Sequence, residues 1–141
     1  MGTPTLVEVE AVDPSSGVTM SNRITLIPKD LNIVFYENHP LYGIIFEKAI
    51  KSDFEMLGEE VDVVTSIFNM SKASLFNNKY EWKINGQIAT DIQSRSAIFR
   101  KPDSAGGESL ISLEVSNPVR YLQYGKNSFM IKFDKNNEIT Q

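Results

Sequence analysis

Lys79-Tyr80-Glu81-Trp82-Lys83-Ile84-Asn85-Gly86 reads KYEWKING, and its pattern decides the fold class. Tyr80, Trp82 and Ile84 alternate with Lys79, Glu81 and Lys83, the period of two that sends one set of side chains to a core and the other to water. Asn85-Gly86 follows at once. These residue types tolerate the positive φ that both central positions of a type I′ hairpin turn require. Gln87–Thr90 is then expected as the return strand.

Working outward towards the C-terminus, Ala97–Phe99 reads as a short strand and Pro102–Gly107 as a turn-rich loop. Leu110–Val115 alternates again, with Ile111, Leu113 and Val115 on one face. Asn117-Pro118 interrupts it, and Ser128–Phe133 closes the pattern with Phe129, Ile131 and Phe133. Residues 136–141 are polar and expected to fray.

Towards the N-terminus, Glu60–Ser66 alternates Val61 and Val63 against Asp62, and Ser71–Asn78 reads as a loop. Ile44–Ile50 fits a short strand or a helical turn. Glu37–Gly43, with Pro40 and Gly43, reads as a linker. Ile33–Tyr36, Arg23–Ile27 and Leu6–Val12 are β-rich, the last two separated by the turn formers Asp13-Pro14-Ser15-Ser16-Gly17. Short strands with regular turn signals and little helical periodicity predict an all-β sandwich. Its expected core is Val61, Val63, Tyr80, Trp82, Ile84, Phe99, Ile111, Leu113, Val115, Phe129, Ile131 and Phe133.

Length and composition agree with this reading. The 141 residues suit one complete domain plus extra elements. With no cysteine, disulfide frameworks and thiolate metal sites are excluded. A formal charge of −4 leaves no basic footprint for nucleic acid, and no apolar run is long enough to insert in a bilayer. MGTPTLVEVE has neither the basic region nor the apolar stretch of a secretion signal, so export and anchoring signals are expected outside this chain.

The two ends of the chain echo one another. Leu6–Pro14 aligns with Leu110–Pro118, matching Val7 to Ile111, Val9 to Leu113 and Ala11 to Val115 at an offset of 104. Asn22–Ile27 aligns with Asn127–Lys132 at an offset of 105, so the loops differ by one residue. A period of about 105 residues is the length of one immunoglobulin-like domain. The expected organisation is therefore a C-terminal strand pair of an upstream module over 1–36, a linker over 37–43, and a complete module over 44–135.

Tyr80-Glu81-Trp82-Lys83-Ile84-Asn85-Gly86 also resembles the aromatic-x-Trp-x-aliphatic-Asn/Asp-Gly signature of PKD-like and related bacterial immunoglobulin-like repeats. Gly107–Asn117 resembles their penultimate strand and Ser128–Phe133 their last. The resemblance implies an immunoglobulin-like (PKD-like) antiparallel β-sandwich, here with an additional N-terminal β-hairpin, and makes Trp82 a core residue. It also implies a non-catalytic spacer or adhesion module of a tandem-repeat bacterial surface protein, extracellular, with neighbouring modules as partners. Alternatives are a glycan- or protein-binding module acting through sandwich-end loops, and an assembly subunit using the hairpin.

Chemistry-bearing residues are few. His39 is the only histidine and lies beside Pro40 with no nucleophile motif nearby, so no enzyme and no cofactor is expected. Asp53, Glu55, Glu59, Glu60 and Asp62 offer oxygen ligands for calcium, but match no known loop spacing and read better as a solvated face. Residues 1–78 carry five basic and eleven acidic side chains, and 79–135 nine and six. Arg95, Arg100 and Lys101, with Tyr121 and Tyr124, form the candidate binding patch. Ordinary surface variation is the plainer explanation.

Overall fold

The computed structural model describes residues 3–27, 29–71, 77–103, 106–120 and 123–133. The described residues form strands and loops without helix, so no helix long and apolar enough to cross a membrane is present among them. The chain divides into two compact units, Met1–Asp30 and Leu31–Gln141.

The first unit is a two-stranded antiparallel ribbon, β1 (Thr5–Val12) against β2 (Thr19–Leu26). Its register sets Val7 opposite Ile24 and Ala11 opposite Met20, so one face is apolar. The other face pairs Glu8 with Arg23 across 2.9 Å.

The second unit contains β3 (Asn32–His39), β4 (Gly43–Ile50), β5 (Asp53–Met56), β6 (Glu60–Phe68), β7 (Lys79–Ile84), β8 (Gln87–Ile88), β9 (Ser96–Arg100), β10 (Gly107–Ser116) and β11 (Tyr124–Phe133). One sheet has the order β4-β3-β6-β9, the other β5-β11-β10-β7-β8. The sheets face one another across a single apolar core, as a β-sandwich requires. Phe35 of the first sheet stacks at 4.8 Å on Phe129 and 5.9 Å from Trp82 of the second, and Phe99 sits 5.7 Å from Trp82. Offset and edge-on arrangements of this kind add to the area that the rings bury.

Two close approaches fix the sheets together. Asn127 Nδ2 on β11 donates to the Ile33 carbonyl on β3 at 2.6 Å. At Gly125, a Cβ would lie 2.7 Å from Leu31 Cβ, so the glycine allows the chain to pass there.

Three expectations need correction. The boundary expected after residue 36 falls between Asp30 and Leu31, because Ile33 and Phe35 are core residues of a central strand. The expected linker 37–43 is the end of β3 and its turn into β4, with a bulge between Tyr36 and Asn38. Not every strand is antiparallel: β5, which the alternation did not reveal, pairs parallel to β11 at a sheet edge. The ambiguous Ile44–Ile50 belongs to strand β4. Of the expected core, Tyr80 and Ile84 are half-buried against the cluster and the other ten are buried. Residues 136–141 lie outside the described residues.

Candidate functional site

Trp82 lies at the centre of β7, opposite Leu113 of β10, and both are fully buried. Its indole Nε1 donates to the Ser94 carbonyl at 2.9 Å. The polar end of the ring is thus satisfied, and Phe35 and Phe99 of the facing sheet pack against it at tilted and edge-on angles. Tyr80 and Ile84 flank it along the same strand face.

Asn85 and Gly86 turn β7 into β8 with φ of 51° and 82°. Asn85 does more than turn the chain. Its backbone N–H donates to the Leu110 carbonyl at 2.8 Å, and its Oδ1 accepts from the Leu110 N–H at 2.8 Å. A turn residue therefore fixes the position of β10.

The basic residues do not form one cluster. Arg95 precedes β9 while Arg100 ends it, about 16 Å away at strand rise. Arg100 Nε pairs with Glu60 Oε2 at 3.2 Å in an exposed cross-strand bridge. The Lys101 N–H donates to the Glu59 carbonyl at 2.7 Å. Tyr124 begins β11 in the other sheet and is half exposed, and Tyr121 lies outside the described residues.

The acidic residues are equally dispersed. Asp53 Oδ2 meets Lys132 Nζ at 3.2 Å, and Asp62 Oδ2 accepts from Asn38 Nδ2 at 2.7 Å on the other sheet. Among the described residues no group of three metal-ligating side chains comes together. His39 stacks on Tyr42 at 4.8 Å, and its Nδ1 accepts from the Leu41 N–H at 3.2 Å, a capping role within the β3–β4 turn.

The outer faces of the two sheets contrast. On the five-stranded sheet, Lys83 Nζ bonds Glu114 Oε1 at 2.9 Å and lies 3.4 Å from Glu81, with Lys126 3.5 Å from Glu114. The hydrogen bond to Glu114 holds the Lys83 ammonium above its ordinary range, and the same bond holds the Glu114 carboxyl below its own. On the four-stranded sheet the outward residues include Tyr36, packed edge-on against Phe46 at 5.3 Å, together with exposed Ile98 and Phe68. A cleft of 380 Å³ opens beside β7 and β8, lined by Asn78, Tyr80, Glu81, Ile88, Thr90 and Gln93.

The most informative surface is β1–β2, because β10–β11 repeats it in detail. The pairs Val7/Ile24 and Val9/Asn22 align with Ile111/Phe129 and Leu113/Asn127, and each is directly opposite in its ladder. Asp13 Oδ1 accepts from the Ser15 N–H at 2.9 Å, as Asn117 Oδ1 accepts from the Val119 N–H at 3.0 Å. Pro14 and Pro118 follow these two acceptors. The Asp13 N–H closes its loop on the Val18 carbonyl at 2.9 Å, and the Asn117 N–H closes its loop on the Gln123 carbonyl at 3.0 Å. The one-residue difference in offset lies inside these loops. Asn22 Oδ1 accepts from the Arg23 N–H at 2.9 Å, and Asn127 Oδ1 from the Ser128 N–H at 2.9 Å.

No family model matches the chain, and no curated protein matches it.

Proposed function

We propose that the chain is a non-catalytic immunoglobulin-like module, of the PKD-like kind, that acts as a spacer or adhesion unit in a row of such modules on a bacterial cell surface. The observation that carries this reading is the match between β1–β2 and β10–β11 in register, turn and side-chain bonds. Alternation alone makes any two hairpins alike. It does not supply the same Asx-Pro turn, the same loop-closing bond and the same asparagine bond at aligned positions. A strand pair recurring at about the length of one immunoglobulin-like domain supports a row of such modules.

The order β5-β11-β10-β7-β8 against β4-β3-β6-β9, with the short β5 parallel to the last strand, supports the immunoglobulin-like assignment. Trp82 at the inward centre of β7, in contact with both sheets, supports the PKD-like one. Neighbouring modules are the partners of this reading.

The test has two parts. The reading frame that encodes the chain is expected to continue the period of about 105 residues and to carry an export signal. A membrane-impermeant amine reagent should label the protein on intact source cells. Labelling only after lysis would reject a surface location, and a frame without further repeats would reject the row.

A second reading, a glycan-binding module, is favoured by the cleft beside β7 and β8, where Tyr80 lies among the amides of Asn78 and Gln93. Retention on a glycan array that is lost in Gln93→Ala would support it.

A further inference from the structure

The apolar face of β1–β2 is exposed where its counterpart is the centre of a core. Val9 is 61 % exposed and Leu113 0 %; Ile24 is 58 % exposed and Phe129 2 %. A two-stranded ribbon with one bare apolar face is marginal in water. Its opposite face, which carries the Glu8–Arg23 pair, is suited to solvent.

The polar atoms indicate what should cover that face. Asn22 and Asn127 hold the same local bond through Oδ1. Asn127 then donates through Nδ2 to the Ile33 carbonyl of the facing sheet. For Asn22 Nδ2 there is no partner among the described residues, although the amide stands at the aligned position of the ribbon.

We propose that the apolar face of β1–β2 is one half of a second sandwich core. Its other half is the inner face of a sheet built like β4-β3-β6-β9, supplied by polypeptide preceding this chain, with Asn22 Nδ2 donating to a strand carbonyl there. This inference rests on the row of modules proposed above and specifies how one module closes. Chain order supports it, because β10 and β11 are the last described strands of their unit, and β1–β2 would be the last strands of a preceding one. A second copy of this chain is a poor occupant: the equivalent sheet inner face in that copy is already covered by its own β10 and β11, with Ile33 and Phe35 buried.

The chain has no cysteine, so one introduced thiol reports on the face directly. Val9→Cys in the 141-residue chain is expected to react with a soluble disulfide reagent as fast as a free thiol. In the protein extended upstream by the natural stretch equivalent to residues 31–106, the rate should fall by about 100-fold or more. Adding Asn22→Ala to the extended protein should recover about tenfold of that rate while leaving the short chain unchanged. Should the double variant fail to fold, the rate of Ile24→Cys in the extended protein gives an independent reading of the same face.

A thiol as reactive in the extended protein as in the short one would overturn the inference. So would a thiol already protected in the short chain together with a dimeric mass by light scattering, which would make a second copy the occupant. The outcomes separate the two claims. The upstream sequence decides whether a row exists, and the thiol rate decides whether this face closes a module within it.

Discussion

β10–β11 and β1–β2 share a plan and differ in what surrounds them. In β10–β11 the inward residues Ile111, Leu113, Val115, Phe129 and Ile131 are nearly inaccessible, and Asn127 reaches the facing sheet. In β1–β2 the aligned positions are exposed apart from the half-buried Val7, and among the described residues the Asn22 amide has only its local bond. The ladder, the Asx-Pro turn and the alternation of faces are therefore properties of the strand pair itself. Burial is not. It depends on an opposing sheet, and the same pattern is core in one place and surface in the other.

Substitutions at aligned positions should separate these contributions. The largest contrast is expected at the aromatic position. Phe129→Ala should cost about 3–5 kcal/mol in chemical denaturation, while Ile24→Ala should change the same transition by less than about 0.5 kcal/mol. Similar losses at both sites would mean that the ribbon face is covered after all.

The next contrast concerns close approach. Gly125→Ala drives a Cβ towards Leu31 Cβ, where 2.7 Å separates them, and should cost about 1–3 kcal/mol by overpacking. The aligned Met20 is 73 % exposed, so Met20→Ala should fall within about 0.5 kcal/mol of the parent. Smaller again is the asparagine pair: Asn127→Ala should cost about 1–2 kcal/mol by leaving the buried Ile33 carbonyl without that donor. Asn22→Ala should be nearly silent in the 141-residue chain.

The smallest effect is electrostatic and distinguishes the turns. The Ser16 hydroxyl, and after it the Ser15 backbone N–H, hold the Asp13 carboxyl down at about 2 from an ordinary 3.8. A lowered carboxyl contributes its stability in full above the unfolded value and loses it as pH falls through the folded one. The Asp13 turn should therefore persist at pH 3 and loosen below about pH 2. The β10–β11 turn has Asn117 at that position and should not respond. Carboxyl chemical shifts followed through an acid titration would check both halves.

Much of the sandwich was legible because its strands alternate strongly. β6, β7, β10 and β11 all stand where Val61, Trp82, Leu113 and Phe129 alternate with polar residues. β5 was not, since Asp53-Phe54-Glu55-Met56 is too short to display a period. The domain boundary was misplaced for a related reason. Glu37–Gly43 contains Pro40 and Gly43 and so resembles a linker, although those residues only turn β3 into β4. The break at Asp30 carries a weaker signal, and Ile33 and Phe35 were lost from the expected core with it.

The candidate patch was the least legible part. Arg95 and Arg100 are neighbours in sequence, but a strand between them places them at opposite ends of β9. The repeat is visible in the sequence, yet its two states of burial are not, because no residue within a hairpin records what lies against it.

Hydrogen exchange read strand by strand in the 141-residue chain tests the contrast most directly. Ladder amides of β10 and β11 are expected to exchange only with global unfolding, whereas those of β1 and β2 should exchange faster by about two orders of magnitude or more through local opening. Equal protection of the two hairpins would contradict it.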